Sequence, residues 1–222
     1  MPSVMVIGAS RGIGLELVRQ YAGAGWSVHA TTRALERPGK LGDLSGDVTL
    51  YSLDVCSDAQ IAALADTLAE TPIDVLIHSA GVIGSRGAGD AEAREQTFRI
   101  NTKAPILTAA ALLENVAASD QKKIALMSSV QGSGRPREGS RYLYGDSKGL
   151  LNAKFRKLEP EWRVRGIISV ALHPGYVRTD MTGFMATLSP KKSVKGIRRV
   201  LADLRLEDSG RFVDYKGNTV AW

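Results

Sequence analysis

The stretch Gly8-Ala9-Ser10-Arg11-Gly12-Ile13-Gly14 constrains the fold of this chain more than any other. It follows directly on an apolar run, Val4-Met5-Val6-Ile7, and leads into apolar residues at helical spacing, Ile13, Leu17, Val18 and Tyr21. A strand that passes through three glycines into a helix is the opening unit of a parallel α/β sheet. Gly8 lets the chain turn sharply, Gly12 removes a side chain where a pyrophosphate would approach main-chain N–H groups, and Gly14 lets the helix lie close to the sheet.

The rest of the chain repeats this alternation. Apolar runs at 27–32, 48–53, 74–79, 123–128 and 167–172 read as strands, with a seventh candidate at 211–213. Ile61, Leu64, Ala65 and Leu68 mark a helix that ends before Pro72. A long helix is expected over 91–118, bent near Pro105, and another over 140–158, stopped by Pro160. The expected fold is therefore α/β: one Rossmann-like, doubly wound parallel sheet of about seven strands, with helices on both faces, forming one domain over 1–222. The glycine-bearing stretches 84–89 and 132–139 look flexible, and both follow strands, where such a sheet places its ligands.

Composition narrows the setting. Of 222 residues, 44% are apolar, enough for one substantial core. Cys56 is the single cysteine, which excludes an internal disulfide and favours a reducing compartment. No apolar run approaches the roughly 18 residues of a membrane helix, and the N-terminus leaves no room for a secretory signal, so a cytoplasmic protein without a membrane partner is expected. The net charge of +6 raises the question of nucleic acid. However, the densest basic stretch, Lys191, Lys192, Lys195, Arg198, Arg199 and Arg205, alternates with Val194, Ile197, Val200, Leu201 and Leu204. That is the solvated face of an amphipathic helix over 190–204, and no nucleic-acid partner is expected. His29, His78 and His173 are scattered on or beside strands, without the grouping of metal ligands, so no metal is expected.

The second strand ends in Thr31-Thr32-Arg33, where an enzyme using NAD usually carries an acid for the ribose hydroxyls. Arg33 suits a 2′-phosphate, and Arg11 in the glycine loop is a second cation within reach of it; the alternative is that both face water. Asp54 is placed either to meet an adenine amino group or to serve as a carboxylate near the helix start ahead of Ser57. Further on, Tyr144-Gly145-Asp146-Ser147-Lys148 puts a phenol and an ammonium on one helical face. A nearby Lys⁺ would lower the phenol pKa toward working pH. Ser128-Ser129, at the ligand end of the fifth strand, offers a hydroxyl that could hold a substrate oxygen beside that phenol.

With these residues assembled, the chain resembles the short-chain dehydrogenase/reductase family. Gly8–Gly14 matches its TGxxxGxG loop, with Ile7 in place of Thr, and Tyr144 and Lys148 match YxxxK. Ser129 lies fifteen residues before Tyr144, which exceeds the family's usual separation by two and puts an insertion in 132–141; Ser128 stays in reserve. Pro174-Gly175-Tyr176-Val177-Arg178-Thr179 matches PGxVxT, and Ala80-Gly81 matches the end of NNAG, with His78-Ser79 in place of the two asparagines. The short segment after Met181, with Thr182, Gly183, Phe184 and Met185, suggests an open, modestly apolar site. Its compactness, together with Tyr142-Leu143-Tyr144, resembles the small C-factor-like and sniffer-like carbonyl reductases.

The resemblance implies an NADP(H)-dependent oxidoreductase that moves a hydride between nicotinamide and a small carbonyl or alcohol substrate. Tyr144 would be the acid, Ser129 the orienting hydroxyl and Lys148 the ammonium that tunes the phenol and holds ribose, while Asn101 would hold a water joining Lys148 to solvent. The implied cofactor set is Gly8, Ser10, Arg11, Gly12, Ile13, Gly14, Arg33, Asp54, Val55, Ala80, Gly81, Asn101, Tyr144, Lys148, Pro174, Gly175, Val177 and Thr179. A homodimer or homotetramer fits the family. The competing expectation is a dinucleotide-binding signalling or scaffold protein whose reductase activity is incidental.

Overall fold

The computed structural model describes residues 1–84, 91–134 and 143–222. Its strands are β1 (Ser3–Ile7), β2 (Ser27–Thr32), β3 (Val48–Ser52), β4 (Val75–His78), β5 (Lys123–Met127), β6 (Ile168–His173) and β7 (Phe212–Asp214). They form one sheet in the order β3-β2-β1-β4-β5-β6-β7, and every neighbouring pair is parallel. Parallel neighbours require crossovers, and helices supply them. The order reverses between β1 and β4, so the chain leaves these two strands in opposite directions and opens a crevice at their carboxyl ends. Gly8 stands at one lip of that crevice and Ser79-Ala80-Gly81 at the other.

The central strands are buried on both faces, which explains their unbroken apolar runs. On one face Val4, Val6, Ile77 and Val170 pack against α1 (Gly12–Ala22) and α7 (Pro190–Asp203) through Leu17, Val18, Val194 and Ile197. On the other, Met5, Ile7, Leu76 and Ile124 pack against α2 (Asp58–Thr67), α4 (Ala104–Ala111), α5 (Leu113–Ala117) and α6 (Leu143–Val164). Leu64, Leu112, Leu151 and Phe155 fill that second layer. Among the described residues, no helix is long and apolar enough to cross a membrane.

Two helical expectations need correction. The long helix over 91–118 is α3 (Ala91–Phe98), a π segment (Arg99–Lys103), α4 and α5 in succession. The irregularity lies in the π segment, just ahead of Pro105. Pro105 itself falls in the first turn of α4, where its missing N–H costs little. Nor does Pro160 stop a helix: α6 runs through it to Val164. Pro160 is on the exposed side, while Trp162 is buried against Phe155 and Glu159 pairs with Arg163 at 2.8 Å, so packing on both sides of the proline outweighs its local effect. The expected start of that helix at Ser140, Tyr142, and most of the two glycine-bearing stretches lie outside the described residues.

Candidate active site

The cleft is built from loop chemistry. Gly8 has φ +84°, and a Cβ there would stand 2.7 Å from Ala80, so the β1 and β4 loops touch main chain to main chain. The Gly8 N–H donates to Thr31 Oγ1 at 2.9 Å, tying the glycine loop to the end of β2. A Cβ at Gly14 would lie 2.1 Å from the Gly8 carbonyl oxygen, so only glycine lets α1 start this close to its own loop. Arg11, the residue capping α1, makes no side-chain cap bond, and the first turn carries no acid. The helix start therefore presents N–H groups and a positive dipole end to the cleft, as an anion site requires.

Of the sequence-expected set, Gly8, Ser10, Arg11, Gly12, Ile13, Gly14, Arg33, Asp54, Val55, Ala80, Gly81 and Thr179 line this one cleft. Arg11 and Arg33 are exposed at its edge, and Arg11 reaches Asp180 at 3.4 Å across the mouth. Two exposed guanidiniums beside a helix start fit a phosphate-bearing dinucleotide. Asp54 lines the cleft and also holds its own turn, accepting from the Cys56 N–H at 2.9 Å, while Ser57 caps α2. Both roles left open for it are thus geometrically compatible. Pro174, Gly175 and Val177 lie beyond the end of β6; a Cβ at Gly175 would be 2.6 Å from Leu188, and Val177 bridges Leu188. Thr179 closes on the glycine loop, with its Cγ2 3.3 Å from where a Cβ at Gly12 would stand.

A second group of polar side chains sits deeper, against α6. Tyr144 and Lys148 share one face, with Lys148 Nζ 5.9 Å from the phenol ring centroid. Ser129 lies near the Tyr144 phenol, and its Oγ accepts from the Gln131 N–H at 3.2 Å, whereas Ser128 donates to Asn152 Oδ1 at 2.6 Å. Asn101 lies in the π segment and joins three elements: its Oδ1 accepts from the Val82 N–H at 2.9 Å, and its Nδ2 donates to the Val82 carbonyl at 2.7 Å and to Ser147 Oγ at 3.0 Å. Those bonds use both amide hydrogens of Asn101 and one lone pair of Oδ1, so a water held by Asn101 would meet the remaining lone pair or its main-chain atoms. Gly81 connects this group to the cleft, since a Cβ there would lie 3.3 Å from Asn101 Oδ1 and 3.7 Å from Lys148 Nζ.

Electrostatics here departs from expectation. Burial pushes the Tyr144 phenol above its ordinary value, and the nearby Ser129 hydroxyl works against that. Lys148 is not what sets the phenol in this structure. It is itself buried, its ammonium brought down to about 8 by desolvation, and it donates to the Met127 carbonyl at 2.8 Å. His78, which stands where relatives carry the first Asn of NNAG, is fully buried and held neutral. Its pKa falls to about 3, through burial first and then through Lys148. Among the described residues neither ring nitrogen of His78 has a partner, so the hydrogen bonding expected of an asparagine here is absent.

Thr31, Asn152 and Asp180 were not singled out by sequence reasoning. Thr31 and Asp180 carry no motif of their own and matter only through distant partners. Asn152, four residues after Lys148, had a usable signal in its shared helical face.

A doubly wound sheet with a glycine-lined anion cleft at its reversal, and a Ser-Tyr-Lys cluster beside it, defines a Rossmann-type α/β protein of the dinucleotide-binding kind. The chain belongs to the short-chain dehydrogenase family, whose model matches residues 2–187. It is 38% identical over 164 residues to the C-signal protein of Myxococcus xanthus, covering 72% of this chain and 99% of that one. To galactitol 2-dehydrogenase (L-tagatose-forming) of Cereibacter sphaeroides it is 32% identical over 186 residues, covering 80% and 72%. Among solved structures, the carbonyl reductase Sniffer of D. melanogaster matches with a TM-score of 0.88 and 29% identity over the whole of both chains. A carbonyl reductase from Pseudomonas aeruginosa in complex with NADP matches with a TM-score of 0.86 and 31% identity, again over the whole of both.

Proposed function

We propose that this chain is an NADP(H)-dependent carbonyl reductase acting through Ser129, Tyr144, Lys148 and Asn101. The observation that carries the reading is the pairing of Tyr144 and Lys148 on one face of α6, joined through Gly81 to a cleft edged by Arg11 and Arg33. The glycine loop and the start of α1 would hold the pyrophosphate, the two arginines the 2′-phosphate, and Asp54-Val55 the adenine. Pro174, Gly175, Val177 and Thr179 would hold the carboxamide end. When bound, NADPH supplies the hydride that reduces a carbonyl carbon. Ser129 donates to the substrate oxygen and fixes its direction, and Tyr144 delivers the proton to that oxygen. Lys148 holds ribose hydroxyls, and Asn101 braces the β4 loop against α6.

Substrate character is inferred from the apolar side chains exposed on the segments that follow β4, β5 and β6. Val130 adjoins Ser129, Ile83 lies two residues past Gly81, and Tyr176, Met181 and Met185 follow β6; all five are exposed apolar side chains. Exposed apolar side chains on these segments favour aliphatic or aromatic ketones and aldehydes over polyols. A signalling or scaffold role draws on the name of the Myxococcus relative alone, and a binding module has no need of the Ser-Tyr-Lys cluster. The test is a carbonyl panel that includes an aryl ketone and a ketose, followed at the reduced-nicotinamide absorbance band with each cofactor. NADPH should support turnover better than NADH by about tenfold or more, and Arg33→Asp should erase that preference. Equal use of both cofactors by the wild type would contradict the cofactor assignment.

A further inference from the structure

Asn152 is buried on α6 one turn past Lys148, and it is bonded to the chain on both sides of Ser129. Its Oδ1 accepts from Ser128 Oγ at 2.6 Å, one residue before Ser129, and its Nδ2 donates to the Gly132 carbonyl at 3.3 Å, three residues after it. The orientation of the amide is dictated by chemistry: a carbonyl only accepts, so the NH₂ must face Gly132 and the oxygen must face the serine hydroxyl. No other common side chain of this size offers both functions. Aspartate lacks the donor and leucine lacks both.

The turn so gripped lies directly on α6. A Cβ at Gly132 would stand 2.7 Å from the Gly149 nitrogen, and a Cβ at Gly145 would stand 2.7 Å from the Gln131 carbonyl oxygen. Three glycines thus let the turn after Ser129 touch the helix main chain next to Tyr144 and next to Lys148. Glycine contacts set how close the turn comes, but they are not directional. The Asn152 bonds are directional, and they act on both ends of the segment whose middle carries the Ser129 hydroxyl.

Taking Ser129 as the substrate-orienting group, we propose that Asn152 is a positioning residue: it clamps Ser128 and Gly132 and thereby sets where the Ser129 hydroxyl stands relative to Tyr144. This gives Ser128 a role as well, as the near anchor of the clamp rather than a second substrate contact.

A buried asparagine can also matter only for folding, so the test must separate the two. Asn152→Ala is made alone and together with Ser129→Ala, and single-turnover NADPH oxidation, NADPH affinity and the melting temperature are measured for each. Alone, Asn152→Ala should slow turnover by about tenfold or more, as misplacement of a reacting contact does, and leave NADPH affinity within about twofold. In the Ser129→Ala background the same change should cost less than about twofold, because the hydroxyl it positions is gone. Equal slowing in both backgrounds, no slowing at all, or loss of NADPH affinity in step with rate overturns the clamp. If Ser129→Ala alone costs nothing, the role given to Ser129 falls and the clamp falls with it; if Ser129→Ala is crippled but the losses multiply, only the clamp falls. Should Asn152→Ala fail to fold, Ser128→Ala removes one anchor and must show the same background-dependent pattern, with a smaller loss.

Discussion

Tyr144 and Lys148 are one helical turn apart, yet burial moves them in opposite directions, the phenol upward and the ammonium down to about 8. The YxxxK spacing made the pair readable from the chain, but the sign of the phenol shift was not, because desolvation depends on what other segments cover it. The same limit applies to Ser128 and Ser129. Alternation along a strand says that only one can face the cleft, but the Asn152 that engages Ser128 comes from another element and is not readable beside it. A protonated phenol at neutral pH is the form that donates to a carbonyl oxygen, and Lys148 keeps its charge only below about 8. Carbonyl reduction should therefore be flat through neutral pH and fall as pH rises through about 8. A kcat profile measured from mildly acidic to mildly alkaline buffer checks this; a rate that climbs across that alkaline range would count against it.

At the scale of elements, the strands follow their apolar runs to within a residue or two, because strands buried on both faces leave a continuous signal. The helices are less legible at proline, which ends some helices and is tolerated inside others. In α6 the exposed Pro160 removes the hydrogen bond that the Arg156 carbonyl would accept, and that carbonyl can turn to water. Trp162 and the Glu159–Arg163 pair keep the last turns in place. The helix tolerates Pro160 rather than depending on it. Pro160→Ala should accordingly raise stability by ~1–2 kcal/mol, less than the full helix-interior penalty because proline also restricts the unfolded chain. Thermal unfolding measures it, with turnover unchanged; a lowered melting temperature would show that Pro160 is part of the packing. The π segment had no sequence signature at all. It places Asn101 where α6, the β4 loop and Lys148 meet, and such insertions are frequent at functional sites.

For the whole molecule, the sheet order and its reversal at β1 and β4 put the glycine loop, Arg33 and Gly81 around one crevice, an arrangement that the βα alternation and the loop sequence together made readable. The buried neighbourhood of Lys148 was not readable, since it is assembled from β4, β5, the π segment and α6. Holding that ammonium inside the fold costs stability. Its folded pKa lies below the unfolded 10.5, so the cost is absent above the unfolded value, grows as pH falls toward about 8, and is complete below it. At neutral pH it amounts to ~3 kcal/mol. Lys148→Met would relieve it while leaving the Met127 carbonyl without its donor, a loss of ~1 kcal/mol. The variant should be inactive and melt roughly 5 °C higher; a lower melting temperature would mean that the ammonium supports the fold. If a cofactor cleft and a separate proton donor meet at Tyr144, dinucleotide binding and proton transfer are separable. Tyr144→Phe separates them, with NADPH binding and single-turnover carbonyl reduction measured on the same preparation. Binding should stay within about twofold of wild type while the rate falls by about a thousandfold or more; a Phe variant that still turns over carbonyl substrate at near the wild-type rate would remove Tyr144 from the acid role.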